Sequence, residues 1–210
     1  MFGDRIEAGT ELAKWLGDYA GAADVIVLGI PRGGVVVAAQ VARELRLPLD
    51  VVSSAKVGAP GYSEFAVGAV APDGEVTANP SGGMSDAEVA AISGPARDKI
   101  AHQLALFRGG RPALELGGST AIVIDDGIAT GLTAISAVRY LRRQGAKVVL
   151  AVPVASREAV TALEPQVDAL VVVDVPSPFG AVGQFYRTFG QTSDSEVLAL
   201  LAEARARDGT

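Results

Sequence analysis

The sequence predicts an α/β fold in which a parallel β-sheet is flanked by helices on both faces. Continuous apolar runs, for example at 25–30 and 121–124, alternate along the chain with segments of helical spacing. Runs of this kind are typical of strands that are buried on both faces. Hydrophobic residues make up 49% of the 210 residues and aromatic ones only 5%, so the core must consist mostly of Val, Ala, Leu and Ile. Such a core suits a sheet covered by two layers of helices.

The predicted elements follow one another in β-α-β order. Strands are expected at 25–30, 49–54, 121–124, 147–154 and 169–173, and helices at 4–19, 35–45, 132–144 and 157–163. The helix at 132–144 is followed by Gly145, the residue type that most often ends a helix. Parallel strands joined by helices predict right-handed crossovers.

One segment, at about 58–110, departs from this alternation and is predicted to be an insertion into a single domain that spans residues 1–210. A Pro-Asp-Gly turn at 72–74 between two apolar runs predicts a β-hairpin. Ser85 and Glu88 have the spacing of a capping box and open a helix. Gly and Pro at 94–95 are expected to kink or break that helix.

Composition and charge exclude several classes of function. The formal net charge of −6 disfavours general binding to nucleic acid, which depends on Lys and Arg. The absence of cysteine excludes disulfides, thiolate zinc sites and cysteine nucleophiles. The first residues have no basic region followed by an apolar core, and no apolar run is long enough to cross a bilayer. We therefore expect a cytoplasmic protein that binds neither nucleic acid nor membrane.

The strongest motif is Ile-Val-Ile-Asp-Asp-Gly-Ile-Ala-Thr-Gly-Leu-Thr at 122–133. Ligands of open α/β sheets bind at the carboxyl ends of strands, where this motif lies. The N–H groups of a small-residue loop at a helix N-terminus form a cradle for anions, and threonine hydroxyls add donors. Asp125 and Asp126 would repel a bare phosphate but could accept hydrogen bonds from a vicinal diol. The motif therefore suits a ribose 5-phosphate, although a buried acidic pair that merely closes a strand is the alternative.

Three other phosphate-binding classes do not fit this motif. A P-loop would need the lysine of its Gly-Lys-Ser/Thr sequence, and a dinucleotide site would need Gly-x-Gly-x-x-Gly. A response regulator would carry its acidic pair after the first strand, whereas this pair lies past the middle of the chain.

The motif resembles the ribose-phosphate site of type I phosphoribosyltransferases. Along nearly its whole length the chain resembles a bacterial family of predicted type I phosphoribosyltransferases whose acceptor is unassigned. The residues that carry the resemblance are 2–5, 31–34, 56–61, 125–133, 179–186, Phe189 and Gln191. The resemblance implies transfer of a phosphoribosyl group from phosphoribosyl pyrophosphate to a nitrogenous base, within nucleotide metabolism. A non-catalytic sensor of the same ligand, or of a nucleotide, that regulates a protein partner is the alternative.

The resemblance also assigns roles to residues. Asp125, Asp126 and Arg32 would act in catalysis, since the arginine can offer forked donors to a diphosphate. The residues that would bind phosphoribosyl pyrophosphate are Gly127, Ile128, Ala129, Thr130, Gly131, Thr133, Gly33, Gly34 and Lys56. Arg32 could instead belong to a plain strand-to-helix turn, and Lys56 could be an ordinary surface lysine.

Two further segments have counterparts in the family. Residues 58–71 occupy the position of a flexible loop that closes over the reacting centre. Within it Glu64 is a candidate base. The C-terminal hood segment (175–186) contains Val-Pro-x-x-Phe, which resembles the part of purine enzymes that covers the base. Only Phe179 carries over, as a residue stacked on the acceptor, and a core phenylalanine is the alternative.

Two positions depart from the family pattern. Ala129 stands where hypoxanthine–guanine enzymes have an aspartate, and in this it resembles the adenine enzymes. Ala55 stands where a basic residue would precede Lys56. The implied cofactor is Mg²⁺, held mainly by the ligand, with no protein metal ligand assigned. The acceptor base, the general base and the pathway stay open, as does a homo-oligomeric state.

Overall fold

The computed structural model describes residues 1–112 and 114–209, without the side chains of Ser63, Glu64 and Asp208. Its helices are α1 (Arg5–Trp15), α2 (Gly33–Leu45), α3 (Asp86–Ile92), α4 (Gly94–Arg108), α5 (Leu132–Arg143), α6 (Arg157–Leu163) and α7 (Asp194–Asp208). Its strands are β1 (Val25–Gly29), β2 (Leu49–Val51), β3 (Ala55–Ala59), β4 (Tyr62–Val70), β5 (Val76–Ala78), β6 (Thr120–Ile124), β7 (Lys147–Val154) and β8 (Ala169–Asp174). Short 3-10 turns lie at Gly17–Tyr19, Pro80–Gly82, Glu164–Gln166 and Val182–Phe185.

Five strands form the central sheet in the order β2-β1-β6-β7-β8, and every neighbouring pair is parallel. Successive side chains of β6 point to opposite faces, as the pleat requires. Ile122 and Ile124 enter a core shared with α1, α2 and α7, while Ala121 and Val123 enter a core shared with α5 and α6. Both faces of the sheet are therefore covered by helices, and the predicted fold class is confirmed.

A second sheet of three antiparallel strands, β3-β4-β5, lies within the predicted insertion. Its apolar face packs on α3 and α4 through residues such as Val67, Val89 and Ile100. The hairpin at 72–74 is present, with Gly74 at φ +84°. Most of the segment at 58–71 forms β3 and β4, and its closure over the reacting centre stays a prediction. Its apolar residues find a partner in the two insertion helices, which favours strands over an open loop.

Helix boundaries follow local chemistry. Both hydrogen bonds of the capping box predicted at Ser85 and Glu88 are present at the start of α3. The predicted break separates α3 from α4, and α4 begins at Gly94 with Pro95 in its first turn. The strand expected at 49–54 ends at Val51, three residues early. No helix among the described residues combines the length and the apolar character that crossing a membrane requires.

The beginning of the chain meets the hood segment. The Phe2 N–H donates to the Phe185 carbonyl at 2.8 Å, and the Arg187 N–H donates to the Phe2 carbonyl at 2.9 Å. Phe2 and Tyr186 are buried in a small aromatic cluster with Phe179 and Phe185. Residues before α1 are thereby fixed beside the carboxyl edge of the central sheet.

Candidate functional site

The carboxyl ends of β1 and β6 lie side by side, since Gly29 is paired with Ile124. The Ile30 N–H continues this pairing by donating to the Ile124 carbonyl at 2.9 Å. The Arg-Gly-Gly loop that follows β1 and the Asp-Asp loop that follows β6 therefore leave the sheet as neighbours. Ligands of parallel α/β sheets bind at this edge.

Each of the two aspartates has one carboxylate oxygen engaged by the protein. Asp125 Oδ1 accepts the Asp126 N–H at 2.9 Å, and Asp126 Oδ2 accepts Arg5 Nε at 2.8 Å. The Arg5 and Asp126 side chains are only 12% and 16% exposed. Among the described residues, no side chain other than Arg5 donates a hydrogen bond to either carboxylate. The pair can thus offer two acceptor oxygens to a ligand.

Burial makes this pair energetically costly. Burial, followed by repulsion from Asp126, raises the pKa of Asp125 well above its ordinary value. Burial also raises the pKa of Asp126, and the Arg5 guanidinium opposes that rise. A ligand that donates hydrogen bonds to both carboxylates would replace the lost water.

Gly33 and Gly34 allow the N-terminus of α2 to approach the acids. A Cβ atom on Gly34 would lie 2.8 Å from Asp125 Cα and 2.7 Å from the Ile124 carbonyl oxygen. A Cβ atom on Gly33 would overlap the Asp126 carboxylate. The two glycines are therefore required by close packing against the acidic loop.

Two helices that begin at this edge lack a side-chain cap. The N-cap residues are Arg32 for α2 and Gly131 for α5, and neither side chain hydrogen-bonds to its first turn. By contrast, α1, α3, α6 and α7 each begin with an Asp or Ser side chain that accepts from a first-turn N–H. Uncapped first turns leave N–H donors and the positive end of the helix dipole available to anions. The acid pair thus lies between two possible anion cradles.

The loop that precedes α5 is anchored from β7. The Ile128 N–H donates to the Val154 carbonyl at 2.9 Å, and the Ser156 N–H donates to the Ile128 carbonyl at 2.9 Å. Ser156 Oγ donates to the Ala129 carbonyl at 2.6 Å. The Ile128 side chain is buried in the core, so only its backbone could contact a ligand. Ser156, which sequence analysis did not single out, holds the loop in place.

The remaining residues of the motif differ in exposure. Ala129 and Thr130 are exposed, Thr133 is half-buried, and Gly131 has the left-handed φ of +80°. Gly127 is half-buried, and a Cβ there would collide with Val182 of the hood segment. The hood segment thus packs directly on the loop.

Three further predicted residues have other contacts or are exposed. Arg32 is exposed, follows a cis Pro31–Arg32 peptide bond, and has Nη1 3.5 Å from Asp194 Oδ1. Lys56 is exposed on β3, in the antiparallel sheet. Phe179 is half-buried and packs on Phe185, with ring centroids 5.0 Å apart. The side chain of Glu64, the candidate base, lies outside the described residues.

Arg5, Tyr186 and Phe189 complete the surroundings of Asp126, and sequence analysis gave none of them a role. Tyr186 Oη donates to the Asp126 carbonyl at 2.5 Å, and burial raises the pKa of this phenol, which keeps it protonated. Arg5 Nη1 donates to the Gly190 carbonyl at 2.8 Å, and its guanidinium lies 4.0 Å from the centroid of the Phe189 ring. The family resemblance at 2–5 was the only signal that could have identified Arg5.

A resident metal ion would find few protein ligands here. No group of three or more His, Cys, Asp or Glu side chains converges within the described part of the chain. Asp125 and Asp126 form only a pair, and Arg5 already engages one of their oxygens. A magnesium ion at this site would therefore take most of its ligands from a bound phosphate compound and water.

The fold and the site together define a class, the type I phosphoribosyltransferases. Residues 3–185 match the model of the phosphoribosyl transferase domain, and the chain belongs to that family. Two Mycobacterium tuberculosis proteins, from strains CDC 1551 / Oshkosh and ATCC 25618 / H37Rv, are 42% identical over 209 residues. They are named "Putative phosphoribosyl transferase MT0597" and "Putative phosphoribosyl transferase Rv0571c".

The match to these relatives covers 97% of this chain but 47% of each of them, so the chain spans about half their length. The crystal structure of TT1426 from Thermus thermophilus is similar along almost all of both chains. It is 41% identical, covers 96% of this chain and 98% of that one, and superposes with a TM-score of 0.81.

Proposed function

We propose that this protein binds phosphoribosyl pyrophosphate and transfers its 5-phosphoribosyl group to a nitrogenous base, with release of pyrophosphate. One observation carries the proposal. A pair of half-buried carboxylates lies between two helix N-termini that have no side-chain cap. Phosphoribosyl pyrophosphate has the complementary order of groups, because its diol lies between a 5-phosphate and a pyrophosphate.

In this assignment Asp125 and Asp126 accept hydrogen bonds from the ribose diol and stabilise the positive charge that develops on the sugar. The 5-phosphate would be bound at the start of α5 by the backbone of Gly127, Ile128, Ala129, Thr130, Gly131 and Thr133, with the threonine hydroxyls as further donors. The pyrophosphate would lie at the start of α2, on Arg32, Gly33 and Gly34, with Lys56 as a second cation.

The reaction is a displacement at the anomeric carbon. A nitrogen lone pair of the acceptor base forms the new C–N bond while the C–O bond to pyrophosphate breaks. Pyrophosphate leaves with the electron pair of that C–O bond. The proton on the attacking nitrogen passes to water or to a general base. The residues of this chain position the two reactants and complement the charges. When bound, Mg²⁺ would neutralise the leaving pyrophosphate.

The acceptor would lie beneath the hood segment. Phe179 is the candidate for stacking on it, supported by its place in the aromatic cluster that closes this edge and by its incomplete burial. Ala129 favours an acceptor that needs no acidic partner at that position. We further propose that the chain acts as one cytoplasmic phosphoribosyltransferase domain, which a chain without cysteine suits.

The test is a transfer assay with labelled phosphoribosyl pyrophosphate, Mg²⁺ and a panel of bases, accompanied by calorimetric binding. Replacing Asp125 and Asp126 together by asparagine should weaken binding, since each hydrogen bond to a charged group contributes about 1.5–3 kcal/mol. Asp18→Asn with Asp24→Asn is the matched control, because it removes the same charge from exposed positions. Asp24 precedes β1, at the opposite edge of the sheet.

Unchanged affinity in the Asp125 and Asp126 double variant would remove the acid pair from the proposed site. Binding by the wild type without turnover of any base would instead favour a sensor that regulates a protein partner.

A further inference from the structure

We propose that Arg5 is a positioning residue for Asp126, which it holds in the orientation and charge state that recognise the ribose diol. The inference rests on the proposed function and extends it to a residue at the start of the chain. Arg5 would act through the carboxylate, without contacting the ligand itself.

The Arg5 guanidinium is fixed from three sides. Its Nε contacts Asp126 Oδ2 at 2.8 Å, and its Nη1 contacts the Gly190 carbonyl at 2.8 Å. Its central carbon lies 4.0 Å from the centroid of the Phe189 ring, within the range of a cation–π interaction. An arginine held in this way cannot rotate to follow the carboxylate, so the carboxylate must adopt the orientation that the arginine sets.

Asp126 is constrained on its other sides as well. The Gly33 backbone packs against the carboxylate so closely that a side chain there would overlap it. Tyr186 Oη donates to the Asp126 carbonyl at 2.5 Å and fixes the backbone of the same residue. With Oδ2 held by Arg5, the remaining oxygen, Oδ1, is the one available to a ligand hydroxyl.

Charge gives the contact a second effect. The groups that face Asp126 are Asp125 from its own loop, Arg5 from α1 and Tyr186 from the end of the hood segment. Arg5 is the one cation among them, and it opposes the rise that burial causes in the Asp126 pKa. Without Arg5, Asp126 would become protonated at a higher pH and would then be a weaker hydrogen-bond acceptor.

The test compares ribose 5-phosphate with 2-deoxyribose 5-phosphate, which has the same phosphate but lacks the 2-hydroxyl. In the wild type, ribose 5-phosphate should bind about 10- to 100-fold more tightly, the range expected for hydrogen bonds to a charged acceptor. Arg5→Gln should reduce this preference severalfold while affinity for the deoxy compound persists. Arg5→Lys keeps the positive charge but lacks the forked N–H donors of the guanidinium group, and it should give an intermediate preference for ribose 5-phosphate.

Arg187→Gln is the matched control. Arg187 lies where the start of the chain meets the end of the hood segment, and it pairs with Glu7 at 3.5 Å; both side chains are more than half exposed. This variant should keep the wild-type preference. Across a pH series, the preference of Arg5→Gln should recover at higher pH, where Asp126 ionises without help. If Arg5 had a merely structural role, Arg5→Gln would weaken the binding of both sugar phosphates equally. The pH dependence of the preference for ribose 5-phosphate would then be unchanged.

The possible results separate the two claims. A wild type that binds both compounds equally would overturn the proposed role of the acid pair, and this inference with it. A wild type that prefers ribose, with the same preference in Arg5→Gln, would overturn the inference alone. Loss of deoxyribose 5-phosphate binding in both Arg5 variants, but not in Arg187→Gln, would show that Arg5 supports the whole site, and would also overturn it.

Discussion

Replacing Asp125 by asparagine is expected to stabilise the unliganded protein at neutral pH while weakening its binding of ribose 5-phosphate. Burial raises the pKa of this carboxyl in the folded state well above its ordinary value. The folded protein therefore holds a proton that the unfolded chain has already released. Stability must fall as pH rises from about 4, where the unfolded carboxyl ionises, to the higher folded-state pKa. Above that point the penalty is constant.

The magnitude follows from linkage. Each unit by which burial raises the pKa costs about 1.4 kcal/mol of folding stability above the folded-state pKa. Asparagine has no charge to bury, and its amide oxygen can still accept the Asp126 N–H that Asp125 Oδ1 now accepts at 2.9 Å. The variant should therefore unfold at higher denaturant concentration than the wild type at pH 7, and the difference should vanish near pH 4.

Chemical denaturation between pH 4 and pH 8, with and without ribose 5-phosphate, measures both effects. Asp126→Asn is the informative comparison, since it leaves the largely buried Arg5 guanidinium without its carboxylate and should lower stability. A stability profile for Asp125→Asn that runs parallel to the wild type across this range would refute the reasoning, because the buried charge would then cost nothing.

The remaining predictions concern the outer parts of the site. In calorimetry, Arg32→Ala should weaken the binding of phosphoribosyl pyrophosphate more than that of ribose 5-phosphate. Equal losses of affinity would mean that the arginine acts through loop structure. Asp194→Asn releases Arg32 from a partly exposed pair worth about 0–1 kcal/mol, so it should tighten phosphoribosyl pyrophosphate binding by a small factor at low salt; weaker binding would contradict this. Phe179→Ala should lower kcat/KM for the true acceptor, since stacking contributes about 1–3 kcal/mol, and leave phosphoribosyl pyrophosphate affinity unchanged. Loss of both would identify Phe179 as a core residue.

The central sheet could be predicted because its signals are local. Strands buried on both faces need continuous apolar runs, and the run that ends at Ile124 has the acids directly after it. The extent of the strands within 58–71 could not be predicted, for a tertiary reason. Residues such as Val67 become strand because α3 and α4, which begin some twenty residues later, supply an apolar surface for them. The close approach of Gly33 to the acidic loop likewise involves a partner that is distant in the sequence.

The site was predictable only where its residues adjoin strand ends. Asp125, Gly33 and Gly34 follow β6 and β1, whose adjacency a parallel fold makes reasonable. Arg5 is 121 residues from Asp126 in the chain, and their contact depends on where α1 and the hood segment pack. No spacing rule connects positions so far apart. Ser156 was missed because its contact with the Ala129 carbonyl depends on β7 lying beside β6.

The two acids, adjacent in sequence and both raised in pKa, are not equivalent in the folded protein. Asp126 has a fixed cation at 2.8 Å, whereas the hydrogen bond to Asp125 comes from a backbone N–H. The Arg5 guanidinium opposes the rise that burial causes in the Asp126 pKa, whether or not a ligand is present. Burial favours the proton on Asp125 until a ligand supplies donors and the cations that accompany its phosphates. We therefore expect Asp126 to be the more readily ionised acceptor for the diol, and we expect ligand binding to favour the ionisation of Asp125.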